Sequence, residues 1–377
     1  MLSLRDHSRP ILKAVLLCAA LAGSNRAALA ADPLSNIPNA PDAEVGGQVS
    51  KESALAEAYL TGKGVSRDPK QAAYWFEKAA GLGDPVAQNQ IGYLYQVGLG
   101  VPADPVRAVR WFRLAASNGL TNAKVNLAVA YIWGVGTQTD PGMGEKLLLE
   151  AAAKGNSIAA TYLGDLYYNG QVRPKDEAAG EKWYEKAVKM HSYLAEYRMG
   201  MLLSEPVNHA QDYKRAVSLF RQSAAAGYVP AMHSLGRLLV NHPELCTSHQ
   251  EALTLLNDAA DAGTWQSSVV LGALARDGKW ITQDPRQAYF HFRAGAIQGG
   301  DRAKALVAKD LQILSAKLSA EELAQLNEQA ADWAREHGQL ISMLYRGQKA
   351  GPAAGTLALA TPIPGAHAGT LVPLTIF

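Results

Sequence analysis

Residues 85–120 read PVAQNQIGYLYQVGLGVPADPVRAVRWFRLAASNGL. The order is a helix-forming run, a Gly-rich loop, a second helix-forming run and a closing glycine. A shift of 36 residues in either direction lands on the same chemistry. Gly119, which closes the stretch, has counterparts at Gly83, Gly155, Gly227, Gly263 and Gly299, and only His191 interrupts the series. Asp104, which opens the second helix, recurs as Asp68, Asp140, Asp176, Asp212 and Asp284, with Ser248 as the exception. A fixed period of supersecondary size marks units that bury their apolar sides by stacking on one another. The expected fold is therefore all-α: a right-handed α/α solenoid of about seven 36-residue helix-turn-helix repeats with a C-terminal capping helix pair.

Each repeated position has a physical reading. Mid-way along the first helix a small residue follows an apolar one: Leu55-Ala56, Ile91-Gly92, Leu127-Ala128, Leu163-Gly164, Met199-Gly200, Leu235-Gly236 and Leu271-Gly272. Glycine inside a helix costs about 1 kcal/mol against alanine, so its return in most repeats predicts a helix–helix approach too close for a side chain. An aromatic comes one turn later (Tyr59, Tyr95, Tyr131, Tyr167) and is expected to fill the gap between neighbouring repeats. Asp-Pro at 68–69, 104–105, 140–141 and 284–285 pairs an N-cap carboxylate with proline at the first helical position. In the second helix a bulky pair (Trp75-Phe76, Trp111-Phe112, Leu147-Leu148, Trp183-Tyr184, Leu219-Phe220, Leu255-Leu256) precedes small residues one turn on. That spacing places both on the buried face. Trp75, Trp111 and Trp183 are expected in the core. Trp133, Trp265, Trp280 and Tyr168 fall outside the repeat phase, where they either plug gaps or grip a partner.

The flanks differ from the array. Arg5, Arg9 and Lys13 precede an apolar run from Ile11 to Gly23 and an Ala28-Leu29-Ala30 cleavage site, so residues 1–30 read as a secretory signal peptide. Its apolar part is short for a membrane span. Leu17 before Cys18 is not the small residue that lipid attachment favours. Residues 31–50 read as a flexible linker, 51–300 as the repeat array, 301–346 as capping helices and 347–377 as a low-complexity tail. Ser319 and Glu322 have the spacing of a capping box. Cleavage after Ala30 removes four positive residues and one negative from totals of 36 and 34, leaving a net charge of −1. Such a surface lacks the concentrated basic face of a nucleic-acid binder. Only Cys246 survives maturation, so no disulfide can form within the chain.

The succession Leu-Gly, Tyr-x-x-Gly-x-Gly-Val, Asp, Ala-x-x-Trp-Phe, Ala-Ala, Gly resembles the Sel1-like repeat family, short α/α relatives of tetratricopeptide repeats. TGKGVSRDPKQAAYWFEKAAGLGD (61–84) and QVGLGVPADPVRAVRWFRLAASNG (96–119) match it nearly throughout, and the resemblance covers residues 51–300. It implies a non-enzymatic adaptor that holds a protein or peptide partner on the concave face made by the first helices, exported to the periplasm or secreted. Two other readings follow from branches of the family. One is a scaffold for envelope polysaccharide export. The other is a hydrolase of β-lactam or cell-wall substrates, a branch whose repeats carry paired cysteines where this mature chain has one.

No phosphate loop, zinc-protease helix, nucleophile elbow or C-x-x-C pair occurs, so no catalytic residue and no cofactor is expected. Gly98-Leu99-Gly100 follows a helix rather than a strand and reads as a helix stop. Capping accounts for every recurrent Asp. The loops at 204–212 and 240–249 have lost the paired glycines and carry His209, His242, Cys246 and His249. Imidazoles and a thiolate from adjacent loops are the donors zinc or copper would take. Against that stand solvated histidines and a partly buried Cys246, which is the expected state.

Overall fold

The computed structural model describes residues 43–170, 174–205 and 212–337. The chain divides into two units, one holding residues 43–120 and the other 121–337 of the described part.

The first unit contains α1 (Ala43–Thr61), α2 (Pro69–Gly81), α3 (Pro85–Val97) and α4 (Pro105–Ser117). α1 packs on α2, α2 on α3 and α3 on α4, so each hairpin covers the apolar side of the next. α1 begins eight residues before the array boundary expected at Lys51, within the stretch 31–50 that composition assigns to a flexible linker. The last proline before it is Pro41, and its two glycines weaken a helix without forbidding one.

The second unit contains α5 (Thr121–Trp133), α6 (Pro141–Ala153), α7 (Ser157–Asn169), α8 (Glu177–Lys189), α9 (Tyr193–Ser204) and α10 (Tyr213–Ala225). It continues with α11 (Val229–Asn241), α12 (His249–Asp261), α13 (Trp265–Asp277), α14 (Pro285–Gln298), α15 (Gly300–Ser315) and α16 (Ala320–His337). A single 3₁₀ turn, Pro243–Leu245, replaces the Gly-rich loop between α11 and α12. All regular structure among the described residues is helical, as the period requires.

The glycines of the first helices do what their recurrence predicts. A Cβ on Gly92 would lie 2.8 Å from the Phe112 ring, on Gly164 2.5 Å from Tyr184, on Gly200 2.7 Å from Phe220 and on Gly272 2.9 Å from Phe292. In each case the excluding ring stands 20 residues on, in the second helix of the same hairpin. Where the first helix carries Ala128 instead, the relief moves across the hairpin. A Cβ on Gly144 would lie 2.8 Å from the Ala128 carbonyl oxygen. The close approach is kept, and the glycine is moved to the partner helix.

The second residue of each bulky pair, not the tryptophan, forms the core. Phe76, Phe112, Leu148, Phe220, Leu256 and Phe292 are almost wholly buried. Trp111 joins them, but Trp75 and Trp183 are only half-buried and carry the ammonium groups of Lys78 and Lys186 over their rings. Successive helical residues are about 100° apart, so one of two bulky neighbours turns toward the rim.

Every Asp that opens a second helix accepts a backbone N–H in the first turn, as Asp104 does from Arg107 at 3.0 Å and Asp176 from Ala179 at 2.9 Å. The amides of Asp68, Asp104, Asp140 and Asp176 donate back to the carbonyls of Tyr59, Tyr95, Tyr131 and Tyr167 at 2.8–2.9 Å, closing each loop on its own first helix. His191, the break in the glycine series, still takes the left-handed backbone with φ 55°. That conformation costs a non-glycine residue about 1–2 kcal/mol. The last hairpin departs differently. α14 runs one residue longer than the other second helices, and the left-handed position slides from Gly299 to Gly300. The capping box forms as spaced: Ser319 Oγ accepts from the Glu322 amide, and Glu322 accepts from the Ser319 amide at 2.8 Å.

Candidate interaction face

Within the second unit, α7, α9, α11 and α13 are first helices, and each touches the next as well as its own partner in the hairpin. Polar groups link neighbouring repeats along this row. Thr161 and Ser192 hydroxyls lie 3.0 Å apart, and His233 Nδ1 lies 2.9 Å from Ser267 Oγ; within one hairpin, Ser223 donates to the Tyr193 carbonyl at 2.7 Å.

Two of these first helices carry opposite charges at their centres. Asp165 on α7 is 1% exposed and faces Arg198 on α9, whose Nε lies 3.2 Å from Asp165 Oδ1. Tyr184 on α8 donates its hydroxyl to the same carboxylate oxygen at 2.6 Å. Burial pushes the Asp165 carboxyl above the usual carboxylate range, against the pull of Arg198 and Tyr184. Burial also works against the charge on Arg198, but Asp165 with the surrounding Tyr228, Tyr184 and Tyr197 outweighs it and holds the guanidinium cationic. The pairing is incomplete. Asp165 Oδ2 and Arg198 Nε are buried without a hydrogen-bond partner, the Nε contact being an ion pair of poor angle.

Tyrosines surround this pair. The Tyr197 ring centre is 6.0 Å from the Arg198 guanidinium carbon. Tyr228 meets Tyr193 at a tilt and Tyr197 edge-on, each at 5.2 Å between ring centres, and all three are half-buried. Burial raises the Tyr193 and Tyr228 hydroxyls above the ordinary phenol value, so both stay protonated at any physiological pH.

The residues singled out from the sequence for metal binding do not gather here. His242 lies tilted against Tyr213 at 4.1 Å between ring centres, with its Nδ1 3.2 Å from Glu244 Oε1. His249 lies flat on Trp280 at 4.3 Å, and Cys246 donates to the Leu239 carbonyl at 3.5 Å. His209 lies outside the described residues. Among the described residues no three His, Cys, Asp or Glu side chains come together as metal ligands would. Cys246 is partly buried beside an apolar cluster, and its thiol is pushed up by burial first and by Glu251 second.

Three of the four aromatics outside the repeat phase serve packing. Trp265 lies against the cluster around Phe292, Tyr168 against Tyr184, and Trp280 holds His249 from a left-handed backbone of φ 68°. The tyrosine cluster at the charged pair was not singled out from the sequence. Its signal lies in the alignment of repeats. The position of Arg198 is Ala54, Gln90, Asn126, Tyr162, Ser234 and Val270 in the other repeats, and that of Asp165 is Glu57, Tyr93, Val129, Met201, Arg237 and Ala273, so only the pair in repeats four and five sets opposite charges side by side.

Stacked helical hairpins of one period define a protein of the α/α repeat class. The Sel1 repeat profile matches residues 52–84, 85–120, 121–156, 157–192, 194–228 and 270–300, and the chain belongs to that family. The unmatched stretch 229–269 contains the loop that lost its glycines and gained the 3₁₀ turn. Among solved structures, a Sel1 repeat protein from Oxalobacter formigenes is similar at 26% identity and TM-score 0.52, over 64% of this chain and 95% of that one. The protein c5321, a protective antigen of uropathogenic Escherichia coli with an SLR fold, is 25% identical over 82% of this chain and 74% of its own, with TM-score 0.42. The immunity protein Pa5087 from Pseudomonas aeruginosa is 19% identical over 70% and 85%, with TM-score 0.40. Among curated proteins none matches this chain.

Proposed function

We propose that this protein is a non-catalytic binding scaffold that presents the row of first helices in its second unit, the face expected to be concave, to a protein partner outside the cytoplasm. The observation that carries the reading is the half-buried tyrosine and arginine cluster on that row, between α7, α9 and the start of α11. Tyrosine and arginine dominate the energetics of protein interfaces, because rigid rings and a planar cation gain contact at low entropic cost. The leader expected at residues 1–30 supports action after export. No helix among the described residues is long and apolar enough to cross a membrane.

A photo-crosslinking amino acid placed at Tyr197 tests the face, with one at the exposed second-helix position Lys182 as its counterpart. Installed in the native host, the Tyr197 probe is expected to trap a protein that the Lys182 probe does not. Trapping only at Lys182 would overturn the assignment of the face. N-terminal sequencing of the exported protein is expected to start at Ala31, and an intact leader on the functional protein would refute export by cleavage.

A further inference from the structure

Arg198 is bound on one side only. Its Nε is buried against Asp165, yet its side chain retains 21% exposure. Neither of its two terminal nitrogens is among the fully buried polar atoms lacking partners, and among the described residues neither donates a hydrogen bond to a side chain or carbonyl. The partly exposed end of the side chain is therefore its terminal fork, the Nε being fully buried. A guanidinium that served only to neutralise a buried carboxylate would use its fork, because two parallel N–H donors meet two carboxylate oxygens best. Here the inner edge is spent on Asp165 and the fork is left open, fixed from behind and bordered by Tyr197 and Tyr228, with Tyr193 packed behind Tyr228.

We infer that Arg198 receives an acidic side chain, Asp or Glu, of an extended protein segment lying across the first helices. The inference rests on the binding face proposed above and names the chemistry of its partner. A carboxylate is the planar, two-oxygen anion that matches the open fork. Arg198 is the sixth residue of the twelve in α9, so the fork opens mid-way along the row and not at its end. A segment continuing in both directions can place a side chain there, and the three tyrosines offer apolar cover to its neighbours while excluding water from the ion pair. Asp165 sets the depth of the guanidinium and prevents it from folding back onto its own helix.

The experiment selects peptides from a random phage library on the full mature chain, then measures the synthetic peptides by fluorescence anisotropy. Each is made with its Asp or Glu, with the matching Asn or Gln, and with free and amidated C-termini. The protein variants are Arg198→Lys and the double substitution Arg198→Met with Asp165→Leu, which fills the same volume without leaving a charge unpaired. For wild type, the amide version is expected to bind about ten- to hundredfold more weakly, the range of hydrogen bonds to charged groups. Arg198→Lys should lose about tenfold, and the double variant should no longer distinguish acid from amide. Equal binding of acid and amide by wild type overturns the inference, as does undiminished discrimination by the double variant. A requirement for a free C-terminus would assign the fork to a chain end and overturn the acidic side chain. Peptides that crosslink at Tyr197 but need no acid sink this inference alone. Peptides that crosslink only on the second helices sink the proposed face as well.

Discussion

Alanine in place of glycine should have opposite signs at two positions eleven residues apart. Gly81 ends α2, and a Cβ there meets nothing within 4 Å. Gly81→Ala removes conformational freedom from the unfolded chain at no steric cost and should stabilise by roughly 0.5 kcal/mol. Gly92 sits inside α3, where the same Cβ would lie 2.8 and 2.9 Å from two Phe112 ring carbons and 3.2 Å from the Ala108 carbonyl oxygen. Carbon atoms rest about 3.5–4.0 Å apart, so the ring would have to move by nearly 1 Å. Phe112 is 1% exposed and has no free space to move into. Overpacking of this kind costs about 1–3 kcal/mol, and the better helix propensity of alanine returns about 1. The net expectation for Gly92→Ala is a loss of about 1 kcal/mol. Urea unfolding of the full chain, followed by circular dichroism and by the summed fluorescence of its seven tryptophans, compares the two. Repeat arrays need not unfold in one step, so hydrogen exchange in α3 and α4 should accompany the midpoints. A Gly92→Ala protein as stable as Gly81→Ala would refute the close-approach reading of the recurrent glycines.

Further expectations concern charge and capping. Asp165→Asn should destabilise by about 1–3 kcal/mol, because it leaves the half-buried Arg198 guanidinium without its anion, whereas Asp165→Leu with Arg198→Met should be neutral or stabilising by about 1–4 kcal/mol; equal losses in a double-mutant comparison would contradict this. His233 and His291 are held neutral by burial, with values lowered to about 4. Their contribution is complete above the ordinary histidine value and is lost as pH falls from about 6.5 through 4, by up to about 3 kcal/mol each. Urea midpoints across that window should fall for wild type and flatten in His233→Asn and His291→Asn; a flat wild-type profile would refute the assignment. Asp104→Ala removes the acceptor for the Arg107 amide and should cost about 1 kcal/mol by the same denaturation assay, with unchanged stability refuting the cap.

The amino-acid sequence was sufficient for the hairpins because their determinants are local and repeated. Asp104 followed by Pro105 caps a helix whatever surrounds it, and Gly92 with Phe112 announces a close approach through spacing alone. It also showed which loops depart from the pattern, though not that the 240–249 loop would form a 3₁₀ turn with His242 and His249 laid on aromatic rings. Residue type allowed a metal there as an alternative to the expected solvated histidines, while packing sets His242 and His249 against aromatic rings. The spacing also put both bulky neighbours on the buried face, whereas Phe76 enters the core and Trp75 is only half-buried, because the two are equally apolar and differ only in angle around the helix. The charged pair was decided by tertiary structure. Asp165 and Arg198 lie 33 residues apart, and only the stacking of α9 on α7 brings them within 3.2 Å. Local periodicity fixes how a repeat folds; what its face can bind depends on residues from neighbouring repeats, and that juxtaposition exists only once they stack.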